Sequence, residues 1–117
     1  MIDLLIFMEV MTLNKIESLA QYDEIINKEN VILMFSADWC PDCRFIEPVL
    51  PEIESENEQF TFYYVDRDQF IDLCGVLNVF GIPSFVAFNQ GSETGRLVNK
   101  DRKTKEEIQT FIDSLSA

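Results

Sequence analysis

Apolar residues along the chain fall into two kinds of run, and each kind predicts an element. Val31-Ile32-Leu33-Met34-Phe35 is continuous over strand length, the pattern of a central strand covered on both faces. Phe60–Asp66, rich in aromatics, and Ser84–Phe88 read as two further strands. A short extended piece is expected around Leu13–Ile16. A return strand is expected near Gly95–Asn99, reached from Ser84–Phe88 by the hairpin turn Asn89-Gln90-Gly91-Ser92, where Gly91 supplies a positive φ. The remaining runs are helical. Leu19, Tyr22, Ile25 and Ile26 recur at helical spacing behind a capping Ser18. Phe45, Ile46, Val49, Leu50 and Ile53 follow Cys40 in the same way, and Phe70, Leu73, Cys74 and Leu77 follow Asp68. Pro48 lies well inside the second helix and removes a backbone hydrogen bond, which predicts a kink, with a further loosening at Pro51. Thr104 and Glu107 form a capping box for the last helix, whose buried stripe is Ile108, Phe111, Ile112 and Leu115. The predicted order β-α-β-α-β-α-β-β-α, joined by right-handed crossovers, gives an α/β fold: a central mixed β-sheet flanked by helices on both faces.

Composition narrows the class. A chain of 117 residues builds one packed core, and its 47% apolar and 26% charged content are those of a soluble globule. Nine basic residues against twenty-one acidic ones, a net charge of −12, argue against partners such as nucleic acid or an anionic membrane surface. Three cysteines, an odd number, do not suit the disulfide framework of a small secreted domain, so a cytoplasmic location is expected. Residues 1–11 are apolar but carry Asp3 and Glu9, have no basic leader and are too short to span a bilayer. They are expected to be an N-terminal extension outside a domain formed by residues 12–117. The alternative is an added strand or helix packing on the body or on a second subunit, a route to self-association in a chain otherwise expected to be a monomer.

The candidate chemistry sits in Asp38-Trp39-Cys40-Pro41-Asp42-Cys43-Arg44, between the central strand and a helix. Two cysteines two residues apart serve either a zinc site or a redox pair. At the start of a helix, residues three apart share a face with Cβ atoms about 5–6 Å from each other, a spacing that suits a disulfide that opens and closes. The helix N-terminus favours the thiolate, so Cys40 at its outer end is the more acidic sulfur. Pro41 suits the first helical position, whereas the charge on Asp42 opposes the effect of the helix on Cys40. The chain has no histidine, and Cys74 is its one remaining thiol. A four-ligand zinc site would therefore need acidic ligands or a second chain, and no metal is expected. Cys74 reads as a small apolar residue on the inner face of its helix, and Trp39 as a half-exposed part of a docking surface. Glu52, Glu54, Glu56 and Glu58 read as a solvated acidic face.

With the element order above, Trp39-Cys40-Pro41-Asp42-Cys43 after the central strand and Gly81-Ile82-Pro83-Ser84 before the hairpin resemble the thioredoxin family, in its WCPDC branch, over about residues 12–115. The resemblance implies a thioredoxin fold and a thiol–disulfide oxidoreductase in which Cys40 attacks a substrate disulfide and Cys43 resolves the mixed disulfide. It implies a cis peptide before Pro83, which faces the cysteine pair, an Ile82 backbone that pairs with extended substrate, and a surface shaped by Trp39. Pro48 matches the family's kinking proline, and Phe35 and Phe88 match core aromatics. No cofactor is implied beyond the redox-active Cys40–Cys43 disulfide. Substrates would be disulfide-containing proteins or small thiols, and electrons would come from a thioredoxin reductase or a low-molecular-weight thiol. Two departures stand out. The family's buried aspartate behind the resolving cysteine is replaced by Met34, and the lysine paired with it by Tyr64. Water, the Cys40 thiolate or Asp42 must then receive the Cys43 proton. Arg96, Lys100, Arg102, Lys103 and Lys105 crowd the loop that flanks the cysteines in this fold; they read as solvated, with Lys100 or Arg102 offsetting Asp42 and attracting acidic thiol substrates. The competing class is a redox-sensitive peptide-binding module with little turnover.

Overall fold

Strand β1 (Val31–Ser36) is the axis of the sheet, and its continuous apolar run explains why. The computed structural model describes residues 14–115, and the extension expected over residues 1–11 lies outside them. β1 pairs in parallel with β2 (Thr61–Asp66) and antiparallel with β3 (Ser84–Asn89). β3 in turn pairs antiparallel with β4 (Ser92–Leu97), so the spatial order is β2-β1-β3-β4. Helices cover both faces: α1 (Leu19–Ile26), α2 (Pro41–Ile46), α3 (Leu50–Glu56), α4 (Ile71–Val76) and α5 (Lys105–Asp113). Among the described residues, no helix is long and apolar enough to cross a membrane.

Alternate residues of β1 point to opposite faces, and the core divides accordingly. Ile32 and Met34 join Ile46, Leu50, Ile53, Ile108 and Ile112 on the side of α2, α3 and α5. Val31, Leu33 and Phe35 join Tyr22, Ile25, Leu73 and Cys74 on the side of α1 and α4. Each such fully buried aliphatic or aromatic side chain stabilises the fold by about 1.5–3 kcal/mol relative to exposure. Cys74 is buried and free, as its helical position predicted. The expected kink appears as a 3-10 turn over Glu47–Val49 that contains Pro48 and divides α2 from α3. Pro51 falls in the first turn of α3, where a missing N–H leaves nothing unsatisfied. Ser18 caps α1, and the Thr104–Glu107 capping box closes the start of α5.

Several boundaries differ from expectation. The piece around Leu13–Ile16 is reduced, among the described residues, to one parallel bridge between Lys15 and Tyr64. α4 starts at Ile71 and not Asp68, because the Asp66 carboxylate accepts from the backbone N–H groups of Asp68 (2.9 Å) and Gln69 (3.4 Å) and holds them in a turn. β4 starts at Ser92, three residues earlier than expected, because Gln90 (φ 51°) and Gly91 (φ 90°) complete a tight reversal by themselves. Phe45, grouped with the buried stripe from its spacing, is half exposed.

Candidate active site

β1 ends at Ser36 and delivers the chain through Asp38-Trp39 to the N-terminus of α2. Cys40 is the N-cap, and its Sγ accepts from the backbone N–H of Cys43 at 3.1 Å. Pro41 opens the helix, Asp42 lies in its first turn, and Cys40 and Cys43 form a disulfide with their Cα atoms 5.2 Å apart. Ala37 forms one buried cluster with the two cysteines, and Ile82 packs against it. The Ile82–Pro83 bond is cis, and the Ile82 carbonyl oxygen lies 4.0 Å from Cys40 Sγ. Motifs forty residues apart in the chain therefore meet at one sulfur.

That sulfur opens onto a cleft of about 290 Å³ lined by Trp39, Cys40, Pro41, Asp42, Ile82 and Lys100, among others. Cys40 keeps 3% of its surface and Cys43 none, so the cleft is the approach to the pair. Trp39 is 60% exposed, and its indole N–H donates to Asp68 at 2.7 Å while the Arg67 guanidinium sits 5.8 Å from its ring. Phe80, also on the cleft, is largely exposed. The charge on Asp42 is met by Arg102 at 3.0 Å, and the same guanidinium lies 4.3 Å from the ring of Phe45, which accounts for an apolar residue outside the core. Of the two cations expected to offset Asp42, Arg102 forms the pair and Lys100 lines the cleft.

Lys103 corrects the solvated reading of the basic loop, being completely buried. Its ammonium donates to Asn99 Oδ1 (2.7 Å), the Asn99 carbonyl (3.0 Å) and the Asp101 carbonyl (2.6 Å). Burial pushes its pKa down, opposed by Asp101, Glu107 and Asp42. The loop so stitched lies against Gly81, where any Cβ would run into the Asn99 carbonyl and the Lys100 nitrogen. Ser84 bonds across the same junction to the Gly81 and Asn99 carbonyls.

A second, rear cavity of about 250 Å³ reaches the pair's neighbour Ala37 and is lined besides by Ser36, Asp38, Glu47, Tyr64 and Asp66, with Lys15 and Val65. Burial raises the pKa of Glu47, Arg44 lowers it and Asp38 raises it further. The Tyr64 hydroxyl donates to Glu54 at 2.7 Å, and burial pushes this phenol up, followed by the charge of Glu54. Glu54 therefore does not belong to the solvated acidic face: burial raises its pKa, with the Tyr64 bond opposing. Glu52 and Glu56 do face solvent, and both pair with Lys105. Among the described residues, no group of three or more side chains is placed to hold a metal ion.

The thioredoxin family model matches residues 13–114. Thioredoxin-2, mitochondrial, of Schizosaccharomyces pombe is 34% identical over 92 residues, spanning 78% of this chain and 69% of that protein. Thioredoxin of Mycoplasma genitalium is likewise 34% identical over 92 residues, spanning 78% of this chain and 90% of its own length. Among solved structures, Plasmodium falciparum thioredoxin superposes with a TM-score of 0.77 at 25% identity, covering 88% of this chain and 99% of that one. With a family match over almost the whole chain and the cysteine pair joined at the start of α2 beside a cis proline, this chain belongs to the thioredoxin family and is a thiol–disulfide oxidoreductase.

Proposed function

We propose that the chain works as a disulfide reductase with Cys40 as nucleophile and Cys43 as resolving thiol. The observation that carries this assignment is the asymmetry of the pair: Cys40 lines the cleft as the N-cap of α2, whereas Cys43 is sealed one turn inward. In the dithiol form, the Cys40 thiolate attacks one substrate sulfur, the substrate S–S bond breaks, and its electron pair leaves on the other sulfur. Cys43 then attacks Cys40 Sγ, the second substrate sulfur leaves with the electron pair of that bond, and the protein is left as the Cys40–Cys43 disulfide, its two electrons now on the reduced substrate. Pro41, Trp39 and Asp42 form one wall of the docking surface. Ile82 offers its backbone to an extended substrate, and Pro83 holds that backbone against the pair. The disulfide is the redox centre, so no cofactor is called for.

The substrates on this reading are disulfide-containing proteins or small disulfides, and a thioredoxin reductase or a low-molecular-weight thiol regenerates the dithiol. Asp42 is paired with Arg102 and Arg67 with Asp68, which leaves Lys100 as the cleft cation outside the ion pairs among the described residues. An acidic flank beside the substrate disulfide suits it. The chain is read as a cytoplasmic monomer, and a free Cys74 thiol is compatible with a reducing compartment.

A Cys43→Ser variant incubated with oxidised substrate should accumulate a mixed disulfide through Cys40, and Cys40→Ser should bring turnover down to background. Persistent turnover in Cys40→Ser, or no trapped adduct in Cys43→Ser, overturns the assignment. The binding-module reading draws on one observation, the apolar Met34 where a carboxylate would assist resolution. It takes over if the dithiol form binds disulfide peptides without reducing them.

A further inference from the structure

Resolution requires the Cys43 proton to go somewhere, and that step rests on the assignment of Cys43 just made. Cys43 is fully buried. Met34 supplies no base. Cys40 is bonded to substrate at that moment, and Asp42 is held by Arg102 on the cleft side. Glu47 is the carboxylate on the other side. It stands four residues after Cys43, and its backbone N–H donates to the Cys43 carbonyl. Side chains at that spacing share one strip of a helix, with Cβ atoms about 5–6 Å apart. Glu47 lines the rear cavity, and so does Ala37, which shares one buried cluster with Cys40 and Cys43. That cavity, about 250 Å³, has room for several waters at about 30 Å³ each. Ser36, Asp38, Tyr64 and Asp66 give those waters hydrogen-bond partners. Glu47 takes part in none of the ion pairs among the described residues.

We propose that Glu47 is the proton acceptor for Cys43, working through water in the rear cavity and replacing a carboxylate that the strand does not provide. As Cys43 Sγ forms its bond to Cys40 Sγ, the thiol proton passes through water to the Glu47 carboxylate. The bond from Cys40 to substrate breaks, and the electron pair leaves on the substrate sulfur. Glu47 then returns the proton to solvent through the open side of the cavity. The groups facing it are Arg44 on its own helix, Asp38 from the turn after β1, Tyr64 and Asp66 from β2, Lys15 from the bridged segment, and Glu54 of α3 behind Tyr64. Burial and Asp38 move the Glu47 carboxyl toward the neutral range, against Arg44, which narrows its mismatch with a thiol.

The test uses full-length dithiol protein and dithiobis-nitrobenzoate, an aromatic disulfide whose two thiolates are coloured. Stopped-flow mixing then separates attack (first thiolate) from resolution (second thiolate). Glu47→Gln is expected to leave the first phase unchanged and to slow the second at least about tenfold near pH 6.5. The gap should close above about pH 9, where thiols ionise unaided. Glu47→Asp, with a shorter carboxylate, should recover part of the rate. A second phase in Glu47→Gln equal to wild type at every pH overturns the proposal, and if that variant fails to fold, the same outcome in Glu47→Ala, which also removes the carboxylate, does so. Failure of the assignment of Cys43 looks different: both thiolates would still be released by Cys43→Ser.

Discussion

The two sides of the reactive pair differ in how they treat charge. Among the described residues that line the cleft, every charged group but Lys100 is paired at the surface: Asp42 with Arg102, Arg67 with Asp68. These contacts are exposed and exchange readily with solvent ions. On the cavity side Tyr64 is buried, Glu47 and Glu54 are half-buried, and burial is the largest influence on each. The contrast suits two different tasks. A docking surface benefits from weak, screenable electrostatics that steer many partners, whereas proton transfer benefits from a group whose affinity for protons is set by its surroundings.

The largest expected effect comes from placing a charge deep on the cavity side. Met34 is fully buried on β1 in register with Tyr64, whose hydroxyl is already committed to Glu54. Met34→Asp is expected to lower stability by about 3–5 kcal/mol at pH 7, the range for an uncompensated buried charge. Burial raises the folded-state pKa of the introduced carboxyl above its unfolded value. Its neutral form is therefore tolerated below about pH 4, and stability is lost as pH rises through the folded pKa. Native Glu47 and Glu54, both raised by burial, carry the same sign. Urea midpoints of Met34→Asp and wild type that stay parallel from pH 4 to 8 would remove the placement of residue 34 in a water-excluding core.

A smaller effect is expected from crowding the cleft side by steric means alone. Gly81→Ala pushes a Cβ into the backbone of Asn99 and Lys100, which Lys103 and Ser84 hold in place. Overpacking of this kind costs about 1–3 kcal/mol. Because the loop also carries Lys100 and Arg102, reduction of an acidic disulfide peptide should weaken in KM while the second phase with the aromatic disulfide stays unchanged. A change in that second phase would mean the two sides are mechanically coupled.

The cleft side was legible in the sequence because its parts are short motifs: Trp39 to Cys43 are contiguous, and Gly81-Ile82-Pro83 marks the facing segment. The helix start, the central strand and the capping box at Thr104 follow from local chemistry, and the structure has them where expected. The cavity side was not legible. Glu47 reads as any glutamate beside a helical proline until the parallel pairing of β1 and β2 brings Tyr64 and Asp66 behind it. Lys103 was misread because lysines are rarely buried whole. A signal was available, since Lys103 immediately precedes the N-cap of a capping box, the position from which an apolar side chain packs back onto the fourth helical residue, here Ile108. The late start of α4 depended on one side chain, Asp66, capturing two backbone donors, a choice that periodicity does not encode.

The smallest expected effect tests the claim that cleft-side charges only tune. Arg102 and Asp42 keep 53% and 37% of their side-chain surface, so Arg102→Ala should change stability by less than about 1 kcal/mol. Its consequence is kinetic. With the guanidinium gone, Asp42 stands unmatched beside Cys40 in the first turn of α2 and disfavours the thiolate against the pull of the helix N-terminus. An exposed pair worth about 0.5 kcal/mol corresponds to roughly a twofold slower first phase at pH 7 and low salt. At 1 M salt, where the screening length is about 3 Å, the difference should disappear. Asp42→Asn in the same background should restore the wild-type rate at either salt concentration, because no charge is then left for Arg102 to offset. A slowing that survives both high salt and Asp42→Asn would assign Arg102 a fixed structural role through its contact with Phe45 and erase the distinction between a screenable front and a buried rear.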